Sequence, residues 1–458
     1  MTNKSWLQTP LREVHHALRW GKVRARDLTE AALAACKDDP VAASAYRQIE
    51  PEQALAAADA ADAVLAAGDD HGLLMGLPVS IKDIYGVPGH ETWAGSPHPL
   101  PACWERPGPL VRRTLEQGAV ITGKTHTVEF AFGGLGINQH HGTPINPHDP
   151  HTHRVPGGSS SGAGVSVATG SALLALGTDT AGSVRVPAAM TGVAGLKTSH
   201  GRWSTNGIVP LSPSLDSPGL LARRVEDLIF AFEALDPGAS NTGANQVALA
   251  CQPKMIRLGV PAEFFLVDCS PGISEAFERA LGTLADAGIQ LIPRELPGAD
   301  EAWALFHAGG LAAPELVAFL ESELPEWLDT LDDRVALRIR GVDELSATDY
   351  LHRRRQQQQL ATAARNTFEG DYAVDALLTP TVAITPPRLT DVASEADYAR
   401  SNPLALRNTV VANLMELCAV TLPIGDDAAG MPVGLQVIAG WGRDAEALRI
   451  AARLERLL

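Results

Sequence analysis

The sequence predicts an α/β layered fold in which helices cover a sheet. Short apolar runs bounded by Gly and Pro alternate with Ala-rich stretches along the chain, and this alternation is typical of layered α/β domains. Apolar residues make up 45% of the 458 residues, which is enough to fill an extended core. No internal repeat and no linker rich in Gly, Ser or charge divides the chain, so we expect one compact unit.

The individual elements follow from local helix and turn signals. PEQALAAADAADAVLAAG (51–68) opens on Pro and Glu and closes at Gly, which predicts a helix. GLPVSIKDIYGVPG (76–89) predicts a strand between turns, and PLVRRTLEQG (109–118) predicts a helix that leads into the strand AVITGK. The remaining predictions are a strand at 255–261, a helix near 271–287, a buried strand within 373–384 and an amphipathic helix at 443–458.

Charge and composition exclude several classes of protein. The net charge of −16 and the pI of about 5.3 argue against nucleic-acid binding, because an acidic body is repelled from a polyanion. The first residues lack the apolar core of a secretory signal, and no long uncharged apolar run predicts a membrane span. The chain has five scattered cysteines and no CxxC pair, which is typical of reduced cytoplasmic thiols: Cys36, Cys103, Cys251, Cys269 and Cys418. We therefore expect a cytoplasmic protein with neither a nucleic-acid nor a membrane partner.

The segment GAVITGKT (118–125) satisfies the Walker A pattern. A phosphate-binding loop follows a strand and opens a helix. This segment follows a predicted helix instead, and its central residues are strand formers. A strand that carries Gly-Lys-Thr by chance is the better interpretation, so we predict no nucleotide site.

Histidines are concentrated in HHGTPINPHDPHTH (140–153). Three prolines break this stretch, whereas a metal site needs histidines held on a rigid element. We therefore expect a solvated loop and predict no metal.

Lys82 lies in the predicted strand at 76–89. Alternation places it with Ser80 and Ile84 on one face of the strand. Burial would disfavour the ammonium form and produce a neutral amine that can act as a base. The strand alone leaves another interpretation open, in which Lys82 pairs with Asp83 or is exposed on one face of the sheet.

Two serine-containing stretches are candidates for nucleophilic chemistry. VPGGSSSGAGVS (155–166) contains G-x-S-x-G, but a loop precedes it, whereas a nucleophile elbow follows a strand. LLALGTDTAGSVRVP (173–187) predicts a strand that enters a tight turn at Ala181 and Gly182, with Ser183 directly after it. Successive N–H groups at such a turn can bind a developing oxyanion.

The stretch GGSSSGAGVSVATGSALLALGTDTAGSVRVPAAMTGVAGLKTS (157–199) resembles the signature of the amidase signature family. GLPVSIKD, GAVITGKTHTVEFAFG, GTPINPHDP and GMPVGLQVIAG resemble further segments of that family. The resemblance implies the amidase signature fold, a large mixed twisted β-sheet covered on both faces by α-helices, as a single domain over 1–458. Its motifs lie within 76–223 and 377–458, and the region of about 235–375 is expected to be variable, mainly helical and on the substrate side.

The resemblance also implies a Ser–cis-Ser–Lys triad of Lys82, Ser159 and Ser183. The two serines are 24 positions apart (183 − 159), which agrees with the family pattern, and a cis peptide bond is expected at Ser159. The oxyanion hole falls on four backbone N–H groups, those of Thr180, Ala181, Gly182 and Ser183.

Three residues depart from the family pattern. Ala181 and Ser161 stand where Gly is usual, and His126 stands where Asn is common. Alanine at 181 would be costly if the turn required a positive φ there, so the departure bears on the geometry of the oxyanion hole.

The resemblance implies hydrolysis of an amide-type carbon–nitrogen bond through a Ser183 acyl-enzyme, with release of ammonia or an amine and no cofactor or metal. Lys82 would take a proton from Ser159, and Ser159 one from Ser183. Small or aryl amides, carbamates and urea-like substrates stay open, and so does a homodimer. Alternatives are the glutaminase (A-type) subunit of a tRNA-dependent amidotransferase and an inactive binding protein. Trp303, Phe306 and Trp327 are either substrate contacts or core residues.

Overall fold

Eleven strands form one mixed sheet in the computed structural model, which describes residues 6–69, 72–238 and 256–458. In chain order the strands are β1 (Tyr46–Gln48), β2 (Pro78–Lys82), β3 (Val120–Thr125), β4 (Leu174–Asp179), β5 (Ala194–Lys197), β6 (Ser217–Ala222), β7 (Arg257–Val260), β8 (Gln290–Pro293), β9 (Ala376–Pro380), β10 (Cys418–Asp426) and β11 (Pro432–Ala439). Their order in the sheet is β1-β3-β2-β4-β6-β5-β10-β11-β9-β7-β8.

Helices fill most of the chain between the strands. In chain order they are α1 (Leu11–Arg19), α2 (Ala25–Asp38), α3 (Pro40–Ala43), α4 (Pro51–Ala66), α5 (Pro109–Glu116), α6 (Ser161–Thr169), α7 (Arg185–Met190), α8 (Val225–Leu235), α9 (Ile273–Asp286), α10 (Ala299–His307), α11 (Ala312–Glu323), α12 (Asp333–Ile339), α13 (Ala347–Phe368), α14 (Glu395–Leu414) and α15 (Asp444–Glu455).

The burial of the central strands shows that both faces of the sheet are covered. Every residue of β2, β4, β6 and β11 is buried, although successive side chains of a strand point to opposite faces. Parallel and antiparallel pairings both occur, since β2 is parallel to β3 and β4 while β4 is antiparallel to β6. The predicted fold, a large mixed sheet between helices, is confirmed.

The predicted elements are found close to their expected positions. The helix at 51–68 is α4, the helix and strand at 109–125 are α5 and β3, and the C-terminal helix is α15. The strands at 255–261 and 373–384 are β7 and β9, and the helix near 271–287 is α9. Met255, the first residue of one predicted strand, and Cys251 lie outside the described residues.

The sheet topology brings the candidate residues together. Because β2 and β4 are parallel neighbours, their carboxyl ends meet at one edge of the sheet, where ligand sites of α/β proteins usually lie. Lys82 ends β2, and the turn that carries Ser183 follows β4. Ser159 precedes α6, which packs against β2, β3 and β4.

Residues 256–375 contribute both helices and strands. Helices α9 to α13 lie in this region, and β7 and β8 extend the sheet beyond β9. No single described helix is long and apolar enough to cross a membrane; α10 and α11 meet that criterion only together, with a bend of 42° between them.

Candidate active site

Lys82 is fully buried and contacts two hydroxyl groups. Its Nζ lies 2.7 Å from Ser159 Oγ and 2.9 Å from Thr178 Oγ1. Burial lowers the pKa of Lys82 to about 7, against the opposing effect of the negative charges of Asp216 and Asp179. A substantial fraction of Lys82 is therefore the neutral amine at neutral pH, with a lone pair available to a hydroxyl proton.

A second buried lysine shows why Lys82 is unusual. Lys124 lies in the Walker-like segment, and its Nζ is 3.0 Å from Asp83 Oδ1 and 3.0 Å from Thr92 Oγ1. Asp83 is thus paired with Lys124, which removes it as the partner considered for Lys82. The segment is strand β3, so its interpretation as a strand is confirmed.

Ser159 follows a cis peptide bond, as the family resemblance implied. The bond joins Gly158 to Ser159, and Gly157 before it has a φ of 77°. The next two serines of the run contact backbone carbonyls instead of Lys82: Ser160 Oγ donates to Thr178 O at 3.3 Å, and Ser161 Oγ to His126 O at 3.2 Å. Two of the departures from the family pattern, Ser161 and His126, thus contact each other.

Ser183 lies in the turn after β4 and lines a cavity. Its carbonyl accepts a hydrogen bond of 3.1 Å from Ser160 N. Among the described residues, the Ser183 hydroxyl has no hydrogen-bond partner, so the structure joins Lys82 to Ser159 but leaves the Ser183 hydroxyl free beside the cavity.

Asp179 holds the turn that carries Ser183, and sequence reasoning missed this role. Its carboxylate accepts hydrogen bonds from the backbone N–H groups of Gly182, Val184 and Arg185, and from the Arg185 guanidinium at 2.8 and 3.0 Å. Burial by itself raises the pKa of Asp179, but the Arg185 charge and these hydrogen bonds outweigh it and hold the pKa well below its ordinary value. The acidic residue in the T-D-T sequence at the end of the strand was the available signal.

The backbone geometry of the turn bears on the predicted oxyanion hole. Gly182 has a φ of 135°, and a Cβ there would clash with Thr409 Oγ1. Ala181 is not among the residues with positive φ, which explains why alanine is tolerated. The N–H of Gly182 donates to Asp179 Oδ1 at 2.8 Å. The N–H groups of Thr180, Ala181 and Ser183 have no acceptor among the described residues.

Asp216 is a further buried acid beside the turn. Its Oδ1 accepts a hydrogen bond of 2.5 Å from Thr180 Oγ1, and its Oδ2 accepts from Leu211 N and Ser212 N at 3.0 Å. Burial raises the pKa of Asp216 to about 6. This residue orients Thr180, and no motif in the sequence pointed to it.

The cavity next to Ser183 has a volume of about 230 Å³ and mainly apolar walls. This volume lies at the small end for a ligand pocket. Phe306 lines the cavity, and the Trp303 ring stacks on the Phe306 ring. Trp327 is not among the lining residues; its Nε1 donates to Ser96 Oγ at 3.1 Å. No Asp or Glu is among the lining residues, and Arg338 is the charged side chain of the wall.

The histidine-rich loop is more ordered than predicted. The stretch is a loop in which His148 and His151 are exposed, whereas His140, His141 and His153 are half-buried. Ring N–H groups of His141 and His153 donate to backbone carbonyls, and His140 Nε2 lies 3.2 Å from Glu129 Oε1. Within the described ranges, no group of three metal-ligating side chains is present.

Comparisons with known proteins agree with this fold and site. The family model described as Amidase matches residues 27–448. The chain is 50% identical over 415 residues to 2-amino-5-chloromuconic acid deaminase of Comamonas testosteroni, and the match covers 91% of this chain and 88% of that protein. It is 32% identical to the A-type subunit of the glutamyl-tRNA(Gln) amidotransferase of Geobacter metallireducens, over 97% of this chain and 96% of that one. A crystal structure of an amidase superposes with a TM-score of 0.86 at 31% identity and covers 98% of this chain and 100% of that chain.

The fold and the comparisons define the class of protein, a hydrolase that acts on carbon–nitrogen bonds. Its mixed sheet carries a buried lysine, two serines and a small cavity at one edge. The chain belongs to the amidase family, as its resemblance to the amidase signature predicted.

Proposed function

We propose that Lys82, Ser159 and Ser183 form the catalytic triad of this amidase, with Ser183 as nucleophile. The observation that carries the proposal is the contact of 2.7 Å between the buried Lys82 Nζ and Ser159 Oγ. Lys82 makes no ion pair within the described part of the chain, and burial brings its pKa to about 7, where a general base is most effective.

The proposed reaction begins with two proton transfers. Lys82 Nζ accepts the hydroxyl proton of Ser159, Ser159 Oγ accepts that of Ser183, and Ser183 Oγ bonds to the electrophilic carbon. The Ser183 hydroxyl must turn toward Ser159 for this step, since catalytic hydrogen bonds often tighten only when substrate is bound. Ser159 then protonates the nitrogen, the carbon–nitrogen bond breaks, and water releases the acyl group from Ser183. The net reaction converts an amide and water to a carboxylic acid and ammonia or an amine.

The negative charge that develops on the substrate oxygen needs donors already in place. The N–H groups of Thr180, Ala181 and Ser183 are our candidates, because the Gly182 N–H donates to Asp179. Asp179 and Thr409 hold the turn, the latter through a hydrogen bond of 2.7 Å from Thr409 Oγ1 to Ala181 O. Donors that are fixed before the reaction stabilise the transition state without reorganisation.

We propose that the leaving group is ammonia and that the substrate is small. The named substrate of the deaminase relative is a six-carbon unsaturated diacid with an amino group on C2. A cavity of about 230 Å³ suits a molecule of this size. In the imine tautomer of such an acid, the C=N carbon takes the place of the amide carbonyl carbon. Ser183 Oγ adds to this carbon, and the nitrogen takes up protons and leaves as ammonia. Water then adds to the same carbon, and the bond to Oγ breaks to give the 2-oxo acid and free Ser183, so that the net reaction is imine plus water to 2-oxo acid plus ammonia.

The proposal is tested by ammonia release from 2-aminomuconate, simple amides, a carbamate and glutamine. We expect wild-type protein to release ammonia from the first, and Ser183→Ala to lose about 10⁴-fold or more in kcat. Ser161→Ala is the matched control, because Ser161 belongs to the same serine run but donates to the His126 carbonyl; it should keep activity within a fewfold. Wild-type turnover by Ser183→Ala would refute the site, and silence of the wild type on every substrate would refute the reaction.

A second candidate is the ammonia-releasing component of a tRNA-dependent amidotransferase. It is supported by the relatives named as the A-type subunit of glutamyl-tRNA(Gln) amidotransferase, which align over 97% of this chain at 32–33% identity. This function predicts ammonia release from glutamine and partner proteins that co-purify with the chain. Turnover of 2-aminomuconate by the isolated chain, with none of glutamine, would exclude it.

We further propose that residues 1–458 form one domain and that the protein acts in the cytoplasm. One domain is supported by the pairing of β5 with β10, which joins strands from distant parts of the chain. The location is supported by four unpaired cysteines among the described residues, Cys36, Cys103, Cys269 and Cys418. A single cooperative unfolding transition and recovery of activity in the soluble cytoplasmic fraction are the expected results. Gel filtration decides between a monomer and a homodimer.

A further inference from the structure

One cation in the cavity wall has no counter-charge. Arg338 lies on α12 and lines the same cavity as Ser183. Its Nε is buried and makes no hydrogen bond, and the lining residues include no carboxylate. Arg338 is half-buried, and a guanidinium that is partly withdrawn from water without a counter-charge lowers stability. A ligand that supplies the missing negative charge would therefore bind favourably.

The surroundings of Arg338 hold its guanidinium in place. Its Cζ lies 4.0 Å from the centroid of the Phe132 ring, which fixes the guanidinium by a cation–π contact. Tyr398 is next to Arg338 and also lines the cavity. Burial raises the pKa of Tyr398, so its hydroxyl keeps its proton and is a neutral donor. A planar guanidinium and a nearby hydroxyl are the donor groups that a carboxylate accepts from.

Other arginines show what sets Arg338 apart. The fully buried Arg185 donates to Asp179, Asn413 and Gln436 at 2.6–3.0 Å. Arg47 has a buried unbonded Nε and stacks on Trp93 at 3.8 Å, but it does not line the cavity. Arg338 combines an unbonded Nε with a position in the wall that Ser183 shares.

The overall charge favours a local cation in a site for an acidic substrate. At a net charge of −16, the protein as a whole repels anions. A cation inside the cavity therefore favours the binding of a small acid, because the apolar walls strengthen the attraction.

We propose that Arg338 binds a carboxylate of the substrate and thereby makes the enzyme selective for small carboxylic acids. The identity of the reacting carbon–nitrogen bond rests on the proposed function, whereas the carboxylate contact does not. Arg338 is thus a specificity-determining residue on a helix outside the family motifs, and the diacid named for the deaminase relative carries the group that it would bind.

Equilibrium binding of cis,cis-muconate, an unreactive dicarboxylate, to Ser183→Ala protein tests the proposal without turnover. We expect Arg338→Met in this background to weaken muconate binding by about 30-fold, which corresponds to about 2 kcal/mol. Arg338→Lys should recover part of the loss, because a lysine restores the charge without the planar fork. Arg340→Met removes the same charge from an exposed position next to α12 and should change the dissociation constant by less than twofold.

The neutral dimethyl ester of muconate separates charge recognition from damage to the cavity. Its affinity should be the same with Arg338 or with Met at that position. Equal losses for the diacid and the ester would refute the proposal, and so would muconate binding that is unchanged by Arg338→Met or absent from the parent protein. Because muconate has no carbon–nitrogen bond to break, a failed triad assignment leaves this result intact, and a failed binding result leaves the triad assignment intact.

Discussion

The polar groups differ between two regions of the site: the carboxyl ends of β2 and β4, which carry Lys82 and are called the edge here, and the part of the cavity lined by α12, which carries Arg338 and is called the wall. At the edge, Lys82 contacts two hydroxyls, and both oxygens of the Asp179 carboxylate accept hydrogen bonds from the turn. In the wall, Arg338 Nε is buried and unbonded, and the residues around it on α12 are only half-buried. The contact of Lys82 with Ser159 and the turn held by Asp179 are therefore in place before a ligand arrives, whereas the Ser183 hydroxyl has still to turn toward Ser159. In our proposal, Arg338 gains its partner only from the ligand.

The difference separates two requirements of an enzyme. Groups that stabilise a transition state must be fixed in advance, because reorganisation during the reaction raises the barrier. A group that selects among substrates gains affinity when it is unpaired in the free enzyme and paired in the complex. The same reacting residues at the sheet edge can thus be combined with different cavity-lining residues, which changes the substrate and keeps the reaction.

The largest expected effect that distinguishes the two regions is that of Lys82→Met. Methionine fills the space but cannot accept a proton, so we expect kcat to fall by about 10³-fold or more. Lys124→Met is the control, because Lys124 is equally buried but pairs with Asp83. Its loss should lower the free energy of unfolding by leaving Asp83 unpaired, with the activity of the folded protein retained. A Lys82→Met enzyme within tenfold of wild type would contradict the role of Lys82.

Two arginines, one with a counter-charge and one without, give the next largest effect. Arg185→Met leaves the buried Asp179 without its counter-charge, and we expect the free energy of unfolding to fall by about 3–5 kcal/mol. Arg338→Met removes a cation that has no counter-charge, so stability should change little or increase. Urea denaturation of both variants measures the difference. Equal destabilisation would show that Arg338 has a structural partner and would remove the distinction between edge and wall.

The pH dependence of kcat/KM is a smaller effect that also distinguishes the two regions. Because burial lowers the pKa of Lys82 to about 7, the active neutral amine is lost as the pH falls below that value. We expect kcat/KM to approach a tenfold drop per pH unit well below the pKa, and to fall about 50-fold between pH 7 and pH 5. Asp216, whose pKa is raised to about 6, loses its charge in the same range and moderates the fall.

Recognition should not follow this titration. An arginine stays protonated across the range, so muconate binding should remain constant between pH 5 and pH 7 while turnover falls. Parallel measurements of kcat/KM and of the muconate dissociation constant check both statements. A turnover rate that is flat from pH 5 to pH 8 would contradict a neutral Lys82 as the base.

The residues at the edge could be named from the sequence because each stands in a local motif of the family. Lys82, Ser159 and Ser183 were assigned through the family resemblance, and the structure places Lys82 Nζ 2.7 Å from Ser159 Oγ; their catalytic roles stay a prediction. The concern over Ala181 was settled only by the backbone, since the positive φ falls on Gly182.

The wall could not be predicted in the same way. Arg338 stands in DRVALRI, a short helix with three charged residues that any surface helix could contain. Its position in the cavity of Ser183 depends on contacts between α12 and α14, such as that of Arg334 with Tyr398, and these lie more than 150 residues after the turn. Asp179 and Asp216 were missed for a related reason, because a buried acid is recognised by its partners and not by its own sequence.

The smallest expected effect concerns an exposed ion pair at the outer side of the wall. Arg340, which follows α12, lies with its NH1 3.4 Å from Oε1 of Glu395, the first residue of α14, and the two side chains are 69% and 63% exposed. Water and salt screen such a pair, so a double-mutant cycle of Arg340→Met and Glu395→Gln should give a coupling energy between about 0 and 1 kcal/mol, decreasing in high salt. The pair of Arg185 and Asp179 provides the contrast, because it is fully buried and holds the turn. The pair of Arg340 and Glu395 is exposed and is therefore expected to contribute little to stability. A coupling energy above about 2 kcal/mol would mean that polar contacts fix the wall as firmly as the edge, and the free enzyme would then hold Arg338 as rigidly as it holds Lys82.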